Sequence, residues 1–130
     1  MLPLILIPAA LGTYAYLRNK SNSLAVAGLV FAAVAALANM LGLMRWPSMH
    51  WILAQKFTTE TVEQQATIDA IFQGLNVYLG NYIGEFLGEL TMNMWFLTIG
   101  LVLITVKDNL KYFGYFAIII AVGALPDSYR

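Results

Sequence analysis

The chain has 130 residues, enough for one domain, and its composition (60% hydrophobic, 11% charged) is far from that of an average soluble domain. Seven basic and seven acidic residues balance, and no lysine- or arginine-rich run occurs, so we expect no nucleic-acid partner. The absence of cysteine excludes disulfides, thiol chemistry and thiolate metal sites.

Four apolar segments have the character of membrane-spanning helices. They cover residues 2–17, 24–44, 82–106 and 110–125. The second is the clearest, because about twenty uncharged residues, each rising 1.5 Å, cross about 30 Å of hydrocarbon. In the first, charges follow the apolar run instead of preceding it, which is unlike a signal peptide. The sequence therefore predicts an all-α, polytopic membrane helical bundle of about four transmembrane helices, in a single integral membrane domain (1–130).

The second segment is followed by residues typical of a membrane surface. A charge, an interfacial aromatic and a helix breaker occur in succession as Arg45-Trp46-Pro47, which predicts that the helix stops there. The connector that follows, residues 48–57, carries His50 and Trp51. We expect Trp46, His50 and Trp51 to be interfacial side chains.

Residues 60–79 predict an amphipathic helix, at the membrane surface or against the bundle. Its apolar side chains recur on one face, opposite a polar face. The apolar residues are Ile68, Ile71, Phe72, Leu75 and Leu79. Thr59 is the expected N-cap, and Gly74 and Gly80 are the expected bends before the third span.

The charges of the loops predict an orientation. Four spans place loops 18–22 and 107–111 on one side of the membrane, and these loops hold four basic residues and one acid. Basic loops prefer the cytoplasm, so we expect both chain termini to face outward.

Four polar residues follow one stripe of the third span, with a drift of about 40° per step. They are Asn81, Glu85, Glu89 and Asn93. Buried carboxylates in lipid are costly and usually pair or carry out a function. One interpretation is a site that handles protons, cations or a polar ligand. The other is a set of structural pairs with neighbouring helices, for which we hypothesise an Arg45–Glu85 bridge.

Beside that stripe, Gly80, Gly84 and Gly88 repeat at intervals of four. Small residues at this spacing let a neighbouring helix approach closely in lipid. The neighbour is either another helix of the same chain or a separate subunit, and ion or ligand approach is a further alternative.

The sequence contains no recognisable catalytic machinery. His50 is the sole histidine, and no phosphate loop, nucleophile elbow or two-histidine metal spacing occurs. Any metal site would have to be built from oxygen ligands such as Glu85 and Glu89, which suit hard cations. We therefore expect no enzyme activity and no metal, and the sequence identifies no cofactor.

Several short motifs resemble one bacterial membrane family. They are Gly42-Leu43-Met44-Arg45-Trp46-Pro47, Thr67-Ile68-Asp69-Ala70-Ile71-Phe72-Gln73, Asn76-Val77-Tyr78-Leu79-Gly80, Gly84-Glu85-Phe86-Leu87-Gly88 and Trp95. This pattern resembles the family called domain of unknown function 4386. The resemblance implies a multi-pass protein of the bacterial inner membrane. It also implies additional upstream spans, because the chain resembles the later part of longer members.

Three functions are compatible with these features. The first is a structural or accessory membrane protein, a small subunit that packs through glycine-lined helix faces against other membrane subunits or against itself in the lipid bilayer. The second is translocation of ions or protons with Glu85 and Glu89. The third is binding of a lipid or small hydrophobic ligand.

Overall fold

The computed structural model describes residues 2–106 and 109–123, and all regular secondary structure in those residues is helical. After a 3₁₀ turn at Leu2–Ile5, six α-helices follow. They are α1 (Leu6–Leu17), α2 (Asn22–Met44), α3 (Trp51–Phe57), α4 (Val62–Leu75), α5 (Gly88–Leu103) and α6 (Leu110–Gly123). The expected end of the fourth span and two residues of the basic loop, Lys107 and Asp108, lie outside the described residues.

Two of the connections are helical, so the bundle contains two long helices. A wide π-helical turn, Trp46–His50, joins α2 to α3, and a longer π-helical stretch, Asn76–Leu87, joins α4 to α5. The resulting helices, Asn22–Phe57 and Val62–Leu103, are long and apolar enough to cross a membrane. Pro3–Leu17 and Leu110–Gly123 are shorter apolar helices.

The long helices are apolar without being enclosed. In the most apolar 18-residue stretch of each helix, only 33% and 44% of the residues are buried inside the chain. The central helix of a soluble protein would be mostly buried, whereas here large side chains such as Val30 and Leu37 are more than half exposed. The prediction of an all-α bundle is confirmed, and its exposed apolar side chains are those expected of a bundle of the membrane type.

The helix does not stop at Pro47, contrary to the sequence-based expectation. Proline has no N–H and its ring crowds the preceding turn, which normally kinks or ends a helix. Here the turn widens instead, because the His50 N–H donates to the Arg45 carbonyl five residues earlier, at 2.9 Å. The Ser48 hydroxyl donates to the Met44 carbonyl at 2.5 Å. The helix therefore continues to Phe57.

The amphipathic segment is the first part of the second long helix. It begins at Val62, where the Thr61 N–H donates to the Gln64 side chain at 3.1 Å, so the cap is Thr61 and not Thr59. The helix continues through Gly74 and Gly80 without a break. With α3, which packs against it, α4 forms an antiparallel hairpin. The hairpin extends about 18 Å beyond Arg45 at ~1.5 Å per residue.

The long helices pack antiparallel through small side chains, with α1 against α2 and α6 against α5. Gly28 faces Thr98 near one end of the contact, and Gly42 faces Gly84 near the other. Two apolar clusters fill the space beside this contact. They contain Ala10, Ala32 and Trp95, and Leu17, Ala25 and Val102. The close approach of the two helices sets the position of the site described next.

Candidate functional site

The glycine stripe lies against α2 of the same chain. A Cβ atom added to Gly84 would lie 3.0 Å from the Cα atom of Gly42, and one added to Gly42 would lie 2.7 Å from the Cα atom of Gly84. The two backbones are therefore in direct contact. A Cβ on Gly88 would lie 2.7 Å from the Asn39 amide nitrogen. This face is occupied within the chain and is not free for a separate subunit.

Gly80, the first glycine of the stripe, forms a seat for Arg45. A Cβ atom there would lie 2.6 Å from both Cζ and Nη1 of the guanidinium, and 2.8 Å from Nη2. These nearly equal distances mean that one face of the guanidinium plane covers Gly80. Nη1 donates to the Gly42 carbonyl at 2.9 Å, and Cζ lies 5.3 Å from the centre of the Trp46 ring. We call Arg45, Gly42, Gly80 and Trp46 the arginine seat.

The hypothesised Arg45–Glu85 bridge is not formed within the described residues. Arg45 bonds to Gly42 and faces Gly80, while the Glu85 side chain is exposed. The glycines that face α2, Gly80 and Gly84, are buried, so the exposed Glu85 side chain lies on a part of the helix that α2 does not cover. Glu85 therefore points away from α2. The structure brings Arg45 together with the glycines and not with the carboxylates.

The predicted polar stripe divides into an outward part and an inward part. Asn81, Glu85 and Glu89 are exposed, whereas Asn93 is 4% exposed. Asn81 and Glu85 lie in the π-helical stretch and Asn93 lies in α5, so a spacing of four does not keep all four residues on one face. Glu85 and Glu89 follow Gly80 by five and nine residues, towards the middle of the bundle. Two carboxylates thus project outward from an apolar helix.

His50 is buried instead of interfacial. Its side chain is 2% exposed, stacks on Phe72 at a ring separation of 4.0 Å, and meets the edge of Trp46 at 4.9 Å. Neither ring nitrogen makes a hydrogen bond of acceptable geometry, although the main chain of Phe72 lies nearby. Trp46 and Trp51 are 52% and 62% exposed, as side chains at a membrane surface would be.

Sequence reasoning missed the burial of His50, because its partner Phe72 belongs to α4, the other helix of the hairpin. The spacing of four between Trp46 and His50 was a usable signal, since it places the two rings on one helix face. The apolar face of the amphipathic segment, which contains Phe72, was a second signal. Only the hairpin brings these two faces together.

The described residues offer few places for a metal or a small molecule. They contain no group of three metal-ligating side chains. Glu85 and Glu89 could supply oxygens to a cation only from the outer surface of the bundle. An open apolar groove of about 370 Å³ lies where the start of the chain meets the end of α2. Its lining residues are Pro3, Leu4, Met40, Leu43, Met44 and Pro47.

Comparison with known proteins gives one finding. No curated protein and no solved structure matches the chain at a significant level. The family model described as "Domain of unknown function (DUF4386)" matches residues 1–129, which include the first helix as well as the motifs around Arg45 and Glu85. The match confirms the family predicted from the sequence: the chain belongs to the DUF4386 family.

Proposed function

We propose that this chain is an accessory subunit of a bacterial inner-membrane assembly, and that its partner helix contacts Asn81, Glu85 and Glu89. These three residues are called the carboxylate stripe. The observation that carries the proposal is the outward projection of both carboxylates from the long helix Val62–Leu103. The proposal assigns no enzymatic activity to the chain.

Electrostatics is the physical basis of the proposal. A charged side chain at the centre of a membrane helix costs about 2.5–3.5 kcal/mol on insertion scales, and less near an edge. No ion pair neutralises Glu85 or Glu89 within the part of the chain that the structure describes. A partner helix that carries basic or amide side chains would remove this cost. Neutralisation of the carboxylates would therefore favour contact with such a partner, in addition to apolar packing.

The proposed contact differs from the one suggested by the glycine stripe. Gly84 and its neighbours pack on α2 of the same chain, so substitution there would damage the subunit itself. The carboxylate stripe lies on another side of the helix and is free. The partner is therefore expected to depend on the carboxylates and not on the glycines.

Two alternatives have specific support. Proton or cation translocation would use the same two carboxylates, but they lie on the outside of the bundle, so a second chain would have to complete the path. Binding of a lipid or small hydrophobic ligand is favoured by the apolar groove beside Met44 and Pro47. With a single chain, neither alternative explains why both carboxylates face outward.

Purification of the full chain in mild detergent, with identification of the proteins that accompany it, tests the proposal. We expect the Glu85→Gln/Glu89→Gln double variant to retain at least tenfold less partner than the unaltered chain. The matched control is Glu60→Gln/Glu63→Gln, which removes two carboxylates from the far end of the hairpin. Equal partner retention by the two double variants would refute the contact.

Liposome flux measurements separate the accessory role from transport. If liposomes that contain only this chain conduct protons or cations, and Glu89→Gln abolishes the flux, translocation replaces the accessory role. Absence of flux in the same liposomes, together with loss of partner in the Glu85→Gln/Glu89→Gln variant, supports the accessory role.

A further inference from the structure

Arg45 carries a positive charge for which the described part of the chain supplies no counter-ion. A guanidinium has five N–H donors and no acceptor. One of these donors is used by the Gly42 carbonyl, and the buried Nε has no hydrogen-bond partner. Glu85, the carboxylate that the sequence suggested as its partner, points to another side of the helix. An anion from outside the chain would balance the charge and accept from the donors that are not buried.

The shape of the arginine seat leaves one kind of contact open. Gly80 covers one face of the guanidinium plane, and a side chain at position 80 would displace the group. The donors of a guanidinium point outward within its plane, and Nε is buried, so the Nη donors that Gly42 does not use are the ones left for an anion. Arg45 is partly exposed, which makes an edge reachable. A planar edge with parallel donors matches phosphate and carboxylate oxygens.

The position of the seat indicates where such an anion comes from. On one side of Arg45, α2 is uncharged and mostly apolar, and on the other side the tip of the hairpin, residues 58–65, is polar except for Val62. Trp46 is half exposed at the same level, as aromatic side chains are at the headgroup depth of a bilayer. Lipid phosphates lie at this depth, and basic pockets between transmembrane helices bind anionic headgroups.

We propose that Arg45 binds a phosphate oxyanion in the arginine seat, and that the phosphate belongs to the headgroup of an anionic lipid. Trp46 lies beside the bound headgroup. His50 packs beside the seat, where its ring meets Trp46 in a T-shaped contact and stacks on Phe72. Dissolved inorganic phosphate has the same chemistry, so the experiment must separate the two sources.

The test uses the full chain in nanodiscs of phosphatidylcholine mixed with phosphatidylglycerol, and counts the lipids retained after release by native mass spectrometry. We expect the unaltered chain to retain phosphatidylglycerol in preference to phosphatidylcholine. Arg45→Gln should lower this preference about tenfold, the effect expected for loss of charged hydrogen bonds. Lys56→Gln is the matched control, since it removes one positive charge from α3 outside the seat and should leave the preference unchanged.

A second variant keeps the proposal testable if Arg45→Gln fails to fold. Gly80→Ala retains the charge but pushes the guanidinium off its seat, so it should lower the preference without abolishing it. The site would be overturned if Arg45→Gln retained the same lipid preference as the Lys56→Gln control. The same holds if a folded Gly80→Ala variant retained the preference of that control. Displacement of phosphatidylglycerol by inorganic phosphate would overturn the lipid source. The assay needs only the purified chain, so it is independent of the proposed partner contact.

Discussion

Glycine residues, which have no side chain, determine how closely the two long helices approach one another. In lipid, apolar side chains gain little by leaving the solvent, so helices associate mainly through close van der Waals contact and hydrogen bonds. Gly42 and Gly84 provide that contact with their backbones, and Gly80 provides the space in which the Arg45 guanidinium lies. Packing and the candidate anion site therefore depend on neighbouring glycines.

Gly84→Leu should destabilise the bundle by about 1–3 kcal/mol, because the added side chain would force two touching backbones apart. Thermal unfolding in detergent, followed by circular dichroism, measures the effect. The control is Gly74→Ala, where nothing lies within 4 Å of the added Cβ atom and helix propensity favours alanine by up to about 1 kcal/mol. A Gly84→Leu variant that unfolds at the same temperature as the unaltered chain would contradict the backbone contact.

The buried His50 ring leads to a second prediction at this scale. Phenylalanine at position 50 can keep the stacking on Phe72 and has no polar nitrogen to leave unpaired. Replacement of an unpaired buried polar group by an apolar one is nearly neutral or stabilising. We therefore expect His50→Phe to unfold at the same temperature as the unaltered chain or higher, and His50→Ala to unfold lower. Equal losses in both variants would show that the imidazole nitrogens are bonded.

At the scale of whole elements, the long helices exceed the thickness of the hydrocarbon. Helices of 36 and 42 residues are about 54 Å and 63 Å long at ~1.5 Å per residue, against about 30 Å of hydrocarbon. The excess forms the hairpin of α3 and α4, which carries Trp51 and Phe57 outside the bundle. The amphipathic segment is thus a coaxial extension of a span.

The continuity of the second long helix can be measured by pulsed electron–electron spin resonance. Because the chain has no cysteine, Gln64→Cys and Leu87→Cys give a clean pair of spin-label sites. A continuous helix places them about 30–35 Å apart, from 23 residues at ~1.5 Å each. A distance below about 25 Å would mean that the helix bends sharply at Gly74 or Gly80, the two positions at which the sequence alone predicted bends.

Composition predicted the elements better than their junctions. The apolar run before Arg45 predicts its helix because length and hydropathy suffice for a span. Pro47 was misleading, since local propensity does not include the wide turn that accommodates it. The arginine partner was missed for a different reason. Gly80 and Glu85 both lie far from Arg45 along the sequence, and only the rotation of one helix against the other decides which of them faces it.

At the scale of the whole molecule, the distribution of loop charge predicts orientation. Asn19→Cys lies in the basic loop, and Thr59→Cys lies at the tip of the hairpin. With both termini outward, a membrane-impermeant maleimide should label Thr59→Cys in intact cells and Asn19→Cys only after permeabilisation. The reverse pattern would place the hairpin and the arginine seat on the cytoplasmic side.

Accessibility of Val30 tests most directly whether the chain lies in the membrane. Val30 is 55% exposed in the fold and lies in the middle of α2, so in a membrane-embedded chain lipid, and not protein, would shield it. In permeabilised cells, we expect maleimide to label Thr59→Cys readily and Val30→Cys only after denaturation. Equally fast labelling of both cysteines in permeabilised cells before denaturation would contradict the membrane location on which the proposals depend.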